Sequence, residues 1–204
     1  YGEYDRIQKF TPEGEFVFDW GGHGEGPGQF LRPNNLAIDE QDRLWVADSC
    51  NHRIQVFNVQ GEKPELVFQW GEEGYEPGQM RYPYDLIVLE DCVYVSEFGN
   101  HRVQKFTREG KSLGVWGGPG REPGQMCQPW ALARDSRGRL HVLDSYNHRV
   151  QRILFYRSRR PAAGTAAASW SRCTRRSPPP ASGTWCSPPR SPPDSAIRSA
   201  CRPG

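Results

Sequence analysis

Asn51-His52-Arg53-Ile54-Gln55-Val56-Phe57 is the stretch that decides the fold, because it returns twice. It comes back as Asn100-His101-Arg102-Val103-Gln104-Lys105-Phe106 and as Asn147-His148-Arg149-Val150-Gln151-Arg152-Ile153. A worn copy, Asp5-Arg6-Ile7-Gln8-Lys9-Phe10, stands near the start. Arg6, Arg53, Arg102 and Arg149 lie 47, 49 and 47 residues apart. A fixed period of this size marks a repeat architecture, in which each unit is one supersecondary element that must stack on its neighbours.

Other landmarks keep the same order. Trp20-Gly21, Trp70-Gly71 and Trp116-Gly117 follow the first three blocks. Gly/Pro-rich loops then end in Pro27-Gly28-Gln29, Pro77-Gly78-Gln79 and Pro123-Gly124-Gln125. A lone proline (Pro33, Pro83, Pro129) leads into a short apolar run. Each unit reads as four short strands. In the second these are Leu36-Ala37-Ile38, Leu44 to Ala47, Ile54 to Phe57 and Leu66 to Trp70. They are rich in β-branched and aromatic residues and bounded by Gly, Pro, Asn and Asp. No stretch carries the 3.6-residue periodicity of an amphipathic helix. Tight turns force antiparallel neighbours, and antiparallel four-stranded units at this period are the blades of a β-propeller.

The Asn-His-Arg-Ile/Val-Gln block, preceded by Val46-Ala47-Asp48 or Val142-Leu143-Asp144, resembles the NHL repeat. The resemblance covers residues 1 to 155. It implies a β-propeller, most often six-bladed. Val95-Ser96-Glu97 departs from the pattern, with Glu in place of Asp. The fold class expected is all-β: four-stranded antiparallel blades in an incomplete propeller. The expected blades are 6–20 (partial), 34–70, 83–116 and 130–155 (partial), within a propeller segment of residues 1–156. A six-bladed ring at this period needs about 280 residues. The expectation is therefore an open arc, completed by further blades of a longer protein or by a partner chain.

Composition changes near Tyr156. Residues 157–204 hold nine arginines, no lysine and one acid, with nine of the 18 prolines. Their formal charge is +8 against +2 for the whole chain, which leaves −6 on the first 156 residues. Such a segment buries too little apolar surface to offset its ordering entropy, so it reads as a disordered tail. Two origins fit: a basic Pro-rich arm for nucleic acid or acidic surfaces, or a GC-rich gene read out of frame. The acidic repeat region argues against nucleic acid as its own ligand. No run is long enough to span a membrane. Cys50, Cys92 and Cys127 occupy different phases of the repeat. Cys173, Cys186 and Cys201 are 13 and 15 apart. Neither set has metal-ligand spacing, and all six read as unpaired thiols.

His52, His101 and His148 invite a zinc reading, but each sits at the same phase of a different unit and reads as a turn residue. Arg53, Arg102 and Arg149 are expected to pair within their blades to Asp48, Glu97 and Asp144, since the guanidinium fork suits a carboxylate. In the worn copy Arg6 has Glu3 or Asp5 to hand. The tryptophans read as packing at the end of the outer strand. The Gly-rich loops read as blade connections, since no helix follows to make a phosphate site.

The informative residues vary where the framework does not. After the lone proline stand Asn34-Asn35, Tyr84-Asp85 and Trp130-Ala131, with Arg32, Arg81 and Gln128 just upstream. In a propeller this point opens the innermost strand at the mouth of the central channel, where side chains from several blades converge. Arg32, Asn34, Arg81, Tyr84, Asp85, Gln128 and Trp130 are the candidate ligand-binding set, and no catalytic or metal residue is assigned. The reading that follows is a non-catalytic binding or scaffold module for a protein, a peptide or a small polar ligand. A metal-dependent hydrolase or lyase is the alternative. The peptidyl-hydroxyglycine lyases within the resemblance hold zinc with histidines after that proline, where this chain has Asn34, Tyr84 and Trp130. Calcium is the other candidate cofactor, with Asn34, Asn35 and Asp85 as oxygen donors. Nucleic-acid binding by the arm is a third reading.

Overall fold

A computed structural model describes residues 5–153. The tail 157–204 and Glu3 lie outside the described residues. Four separate antiparallel sheets follow one another along the chain. The first is β1 (Arg6–Phe10) with β2 (Phe16–Gly21). The second is β3 (Pro33–Ile38), β4 (Arg43–Asp48), β5 (Arg53–Asn58) and β6 (Glu65–Trp70). The third is β7 (Pro83–Val88), β8 (Val93–Glu97), β9 (Arg102–Phe106) and β10 (Ser112–Gly117). The fourth is β11 (Pro129–Arg134), β12 (Leu140–Asp144) and β13 (Arg149–Ile153). Strands are ordered in space as in sequence, and each pairs only within its own sheet. Single 3-10 turns, Ser49–Asn51 and Ser145–Asn147, precede β5 and β13. They end on His52 and His148 at φ 54° and 50°, a left-handed conformation that His tolerates better than most residues.

The sheets stack face to face, so the core is a series of junctions. Ile7 of the first sheet packs with Phe30, Leu44, Val46 and Phe57. Trp45, Ala47, Ile54 and Val56 of the second pack on Met80, Leu86, Val93, Val95 and Phe106. Tyr94 and Val103 of the third pack on Met126, Leu140 and Val142. This is why β4 and β8 are buried on both faces and lose the simple period-two alternation. The outer tryptophans close each junction from the rim. The Trp20 ring lies 6.0 Å from Phe57 of the next sheet, and Trp70 lies 4.6 Å from Phe106. The glycine after each tryptophan is required. At Gly71 (φ 113°) a Cβ would strike the Met80 side chain and stand 2.8 Å from the His52 carbonyl oxygen.

The second, third and fourth sheets are each organised about one buried carboxylate. Asp48 accepts hydrogen bonds from the Leu31 N–H (2.8 Å), Asn51 Nδ2 (2.9 Å), Arg53 Nε (2.8 Å) and Gln55 Nε2 (3.0 Å). Glu97 does the same for the Arg81 N–H (3.2 Å), Asn100, Arg102 and Gln104. Asp144 serves the Cys127 N–H (2.7 Å), Asn147, Arg149 and Gln151. The other arms of Arg53 reach the Glu25, Gly26 and Gln29 carbonyls, and Asn51 reaches that of Gly24. The repeated block therefore fixes the Gly-rich loop, which explains why the two recur together. Within that loop the Gln29 side chain accepts from the Gly26 N–H, which accounts for Pro-Gly-Gln. Arg6 is the exception. It stands 3.0 Å from Asp19 across the β1–β2 pair. Asp5 faces the Arg32 N–H and His23 instead.

Cys92 and Cys127 are free thiols. Cys50 is disulfide-bonded, which corrects its reading as an unpaired thiol. Among the described residues no helix is long and apolar enough to cross a membrane. The two end faces of the stack are open. Ile54 and Val103 are fully buried, but Val150 at the same phase is 63% exposed. Leu86 is buried, but Leu36 is 49% exposed. These faces have no neighbour among the described residues.

Two pairs of substitutions measure this framework in urea unfolding. Arg102→Ala leaves Glu97 buried without its counter-charge and should lose about 3–5 kcal/mol; Arg149→Ala, whose guanidinium is already partly exposed, should lose less. Gly71→Ala should lose about 2 kcal/mol or more, against about 1 kcal/mol for Gly78→Ala, which shares the positive φ but has open space around it.

Candidate functional site

The lone prolines start the three innermost strands, β3, β7 and β11, which lie side by side. Proline fixes its own φ and restricts the residue before it. That preceding residue is left-handed in each unit: Arg32 (φ 53°), Tyr82 (φ 50°) and Gln128 (φ 51°). Its N–H is turned to the preceding blade. Tyr82 N–H donates to His52 Nδ1 (3.1 Å) and Gln128 N–H to His101 Nδ1 (3.0 Å). Arg32 N–H donates to Asp5 Oδ1 (3.1 Å), so the worn copy has Asp where the others have His. The histidines are turn residues and also links between blades.

This register separates residues that resemble one another by type. Tyr82, not Arg81, is the counterpart of Arg32 and Gln128. Arg81 matches Leu31 and Cys127, whose N–H groups bind the framework acids. Its side chain is buried over Tyr75, with the guanidinium 5.0 Å from the ring centre, 2.7 Å from the Tyr75 hydroxyl and 3.4 Å from Glu73. Arg81 is thus held down and does not stand free at the mouth.

An aromatic floor forms where β7 meets β11. The Tyr84 ring stacks on Phe98 at 4.4 Å, and Trp130 stands edge-on to Tyr84 at 5.8 Å. Phe98 also contacts Trp130 and Tyr146. Tyr84 and Phe98 are buried with Tyr82, Leu31 and Cys50, whereas Trp130 is 52% exposed. Arg32 and Asn34 are exposed at the same level of β3, and Gln128 is half-buried with an Oε1 that has no partner.

Asp85 belongs to the scaffold. Its Oδ1 accepts from the Leu86 N–H (2.8 Å) and its Oδ2 from the Leu132 N–H of the next inner strand (2.5 Å). Burial pushes its carboxyl up from the ordinary value, against the pull of those two donors. Burial does the same to Asp48 and Glu97. Each Asp85 oxygen accepts one backbone N–H, and Ala131 stands at the matching place in the next unit. Among the described residues no group of three or more His, Cys, Asp and Glu side chains is placed to hold a metal.

Phe98, Tyr146 and Tyr82 escaped the reading of the sequence. The signal for the first two was present. Phe98 and Tyr146 sit just after the framework acids, where the second unit has Ser49-Cys50. They vary within a constant frame, as Tyr84 and Trp130 do.

Comparison with known proteins agrees with this architecture. The NHL repeat family matches residues 30–57 and 126–153, each running from the buried loop residue through the third strand. The chain is 47% identical over 59 residues to a peptidylglycine alpha-amidating monooxygenase of Rattus norvegicus, a match covering 26% of this chain and 6% of that protein. It is 36% identical over 137 residues to the B-box type zinc finger protein ncl-1 of Caenorhabditis elegans, covering 67% of this chain and 15% of that protein. The chain thus spans a small part of these relatives' length. The solved structure of a streptogramin B lyase superposes with a TM-score of 0.53 at 15% identity, covering 73% of this chain and 44% of that one. The two matched segments, the antiparallel four-strand order and the stacked junctions agree: this chain carries NHL repeats at residues 30–57 and 126–153, and its sheets are arranged as the blades of a β-propeller.

Proposed function

We propose that the chain is a non-catalytic binding module that presents the mouth at Asn34, Tyr84 and Trp130 to a protein, a peptide or a small polar ligand. The observation that carries this reading is the exposed Trp130 indole set over the Tyr84–Phe98 stack. An aromatic side chain with a rigid apolar bed and a polar tip is the usual anchor of a binding surface. Arg32 and Asn34 offer a guanidinium and an amide beside it. The charged groups behind the mouth are occupied by backbone N–H donors and framework arginines, so they serve position rather than proton transfer. The open faces at Val150 and Leu36 are seats for further blades of the same ring, since the same phases in the inner units are covered by a blade.

A metal-dependent enzyme is the second reading, favoured by the identity to the amidating monooxygenase and the fold of the streptogramin lyase. The donor set at the mouth speaks against it.

Panning a phage-displayed peptide library on the chain tests the first reading. Selected peptides should bind Trp130→Ala at least about tenfold more weakly, with a melting temperature unchanged because the ring is half exposed. Peptides that bind both forms equally would remove the mouth from consideration. Calcium or zinc held at unit stoichiometry by the purified full-length ring would favour the enzyme.

A further inference from the structure

We propose that the imidazole of His52 is a pH-sensitive staple that ties the junction between the second and third sheets to the aromatic floor of the mouth. His52 holds the left-handed turn before β5, and its Nδ1 accepts the Tyr82 N–H at 3.1 Å. An imidazole that accepts at Nδ1 carries its proton on Nε2 and is neutral. Protonation would put an N–H where the Tyr82 N–H already points, so two donors would face each other. Tyr82 is no peripheral residue. Its ring packs 4.7 Å from the imidazole on one side and joins Tyr84, Phe98, Leu31 and Cys50 on the other. Loss of the staple is therefore felt in the floor on which Trp130 stands.

The groups facing His52 come from two elements. From the loop before β7, Glu73 favours the charged ring, while Arg81 opposes it. From its own turn, Asp48 and Arg53 neutralise each other at 2.8 Å. Burial is the largest influence and holds the imidazole below its ordinary value. A folded-state value below the unfolded value of about 6.5 gives stability that is complete above pH 6.5. That stability is lost as pH falls from there through the folded value. Asp48, Glu97 and Asp85 are shifted upward by burial and so act with the opposite sign over their own range. His101 repeats the geometry with Gln128 at 3.0 Å. At the first junction Asp5 makes the same bond with a carboxylate.

The mouth's importance rests on the function proposed above, but the staple does not, and its test needs no ligand. In nitrogen-15 NMR of the whole chain between pH 7.5 and 5, His52 should titrate with a midpoint below 6.5, and the Tyr82 amide and Trp130 indole signals should move with the same midpoint. In His52→Asn the Oδ1 takes the place of Nδ1, does not titrate, and suits the left-handed turn. Both signals should then lose that response, and the drop in melting temperature between pH 7.5 and 5.5 should shrink. If that variant does not fold, the wild-type titration decides alone. A His52 midpoint at or above 6.5, or a Tyr82 amide indifferent to it, overturns the proposal. Failure of peptides to bind leaves these signals unaffected and bears only on the function of the mouth.

Discussion

Three of the four described sheets are arranged around a carboxylate that water does not reach. Removing such a charge from water is expensive, and it is tolerated only where donors surround it. Asp48, Glu97 and Asp144 each gather a backbone N–H, an asparagine, an arginine and a glutamine. The donors come at fixed offsets, three, five and seven residues after the acid, because a tight turn separates the second strand from the third. The N–H comes from the loop that delivers the chain from the previous blade. One buried charge thus sets the turn, the strand pairing and the path of the connection. Glu97 shows how strict the requirement is. Its side chain is one methylene longer than Asp, yet it contacts the same set of partners.

The junctions between blades follow from this centre. Once Arg53 holds the carbonyls of residues 25, 26 and 29, Phe30 is fixed beneath Gly21 and the outer tryptophan has a wall to close against. The last link is the left-handed residue before the proline, whose N–H must find an acceptor on the preceding blade. His52, His101 and Asp5 supply it. Neutral imidazole and carboxylate are interchangeable there because each places an acceptor one bond beyond Cγ.

The fold was legible because every blade solves the same problem and so repeats the same residues. Asn-His-Arg-x-Gln and Pro-Gly-Gln are joined by hydrogen bonds and Trp-Gly closes the same assembly by packing, and their period led directly to stacked antiparallel sheets. The mouth was legible only in part. Tyr84 and Trp130 stood out because they vary where the frame is constant. Phe98 and Tyr146 vary in the same way on a different turn, but their meeting with Tyr84 depends on which strands lie side by side. Arg81 matches Arg32 in type, but its position matches Leu31. In a frame this strict, one residue of register separates a side chain held against the loop from one turned to the neighbouring blade. The link made by Asp85 was not legible, because the Leu132 N–H that it accepts belongs to the next unit, 47 positions on.

Division of labour follows from the same frame. The acid and its donors account for most of the buried polar side chains, and Asn34 and Trp130 after the proline are left exposed. Asn34 and Trp130 point outward from strands that are fixed by other groups, so their identity changes from blade to blade without disturbing the stack. The mouth is thus a rigid platform with exchangeable tips. A rigid aromatic bed loses little conformational entropy on binding, so specificity can be set by a few exposed side chains. Asp85, on the inner strand beneath that platform, joins two blades through the Leu132 N–H, so the platform takes its rigidity from the stack itself.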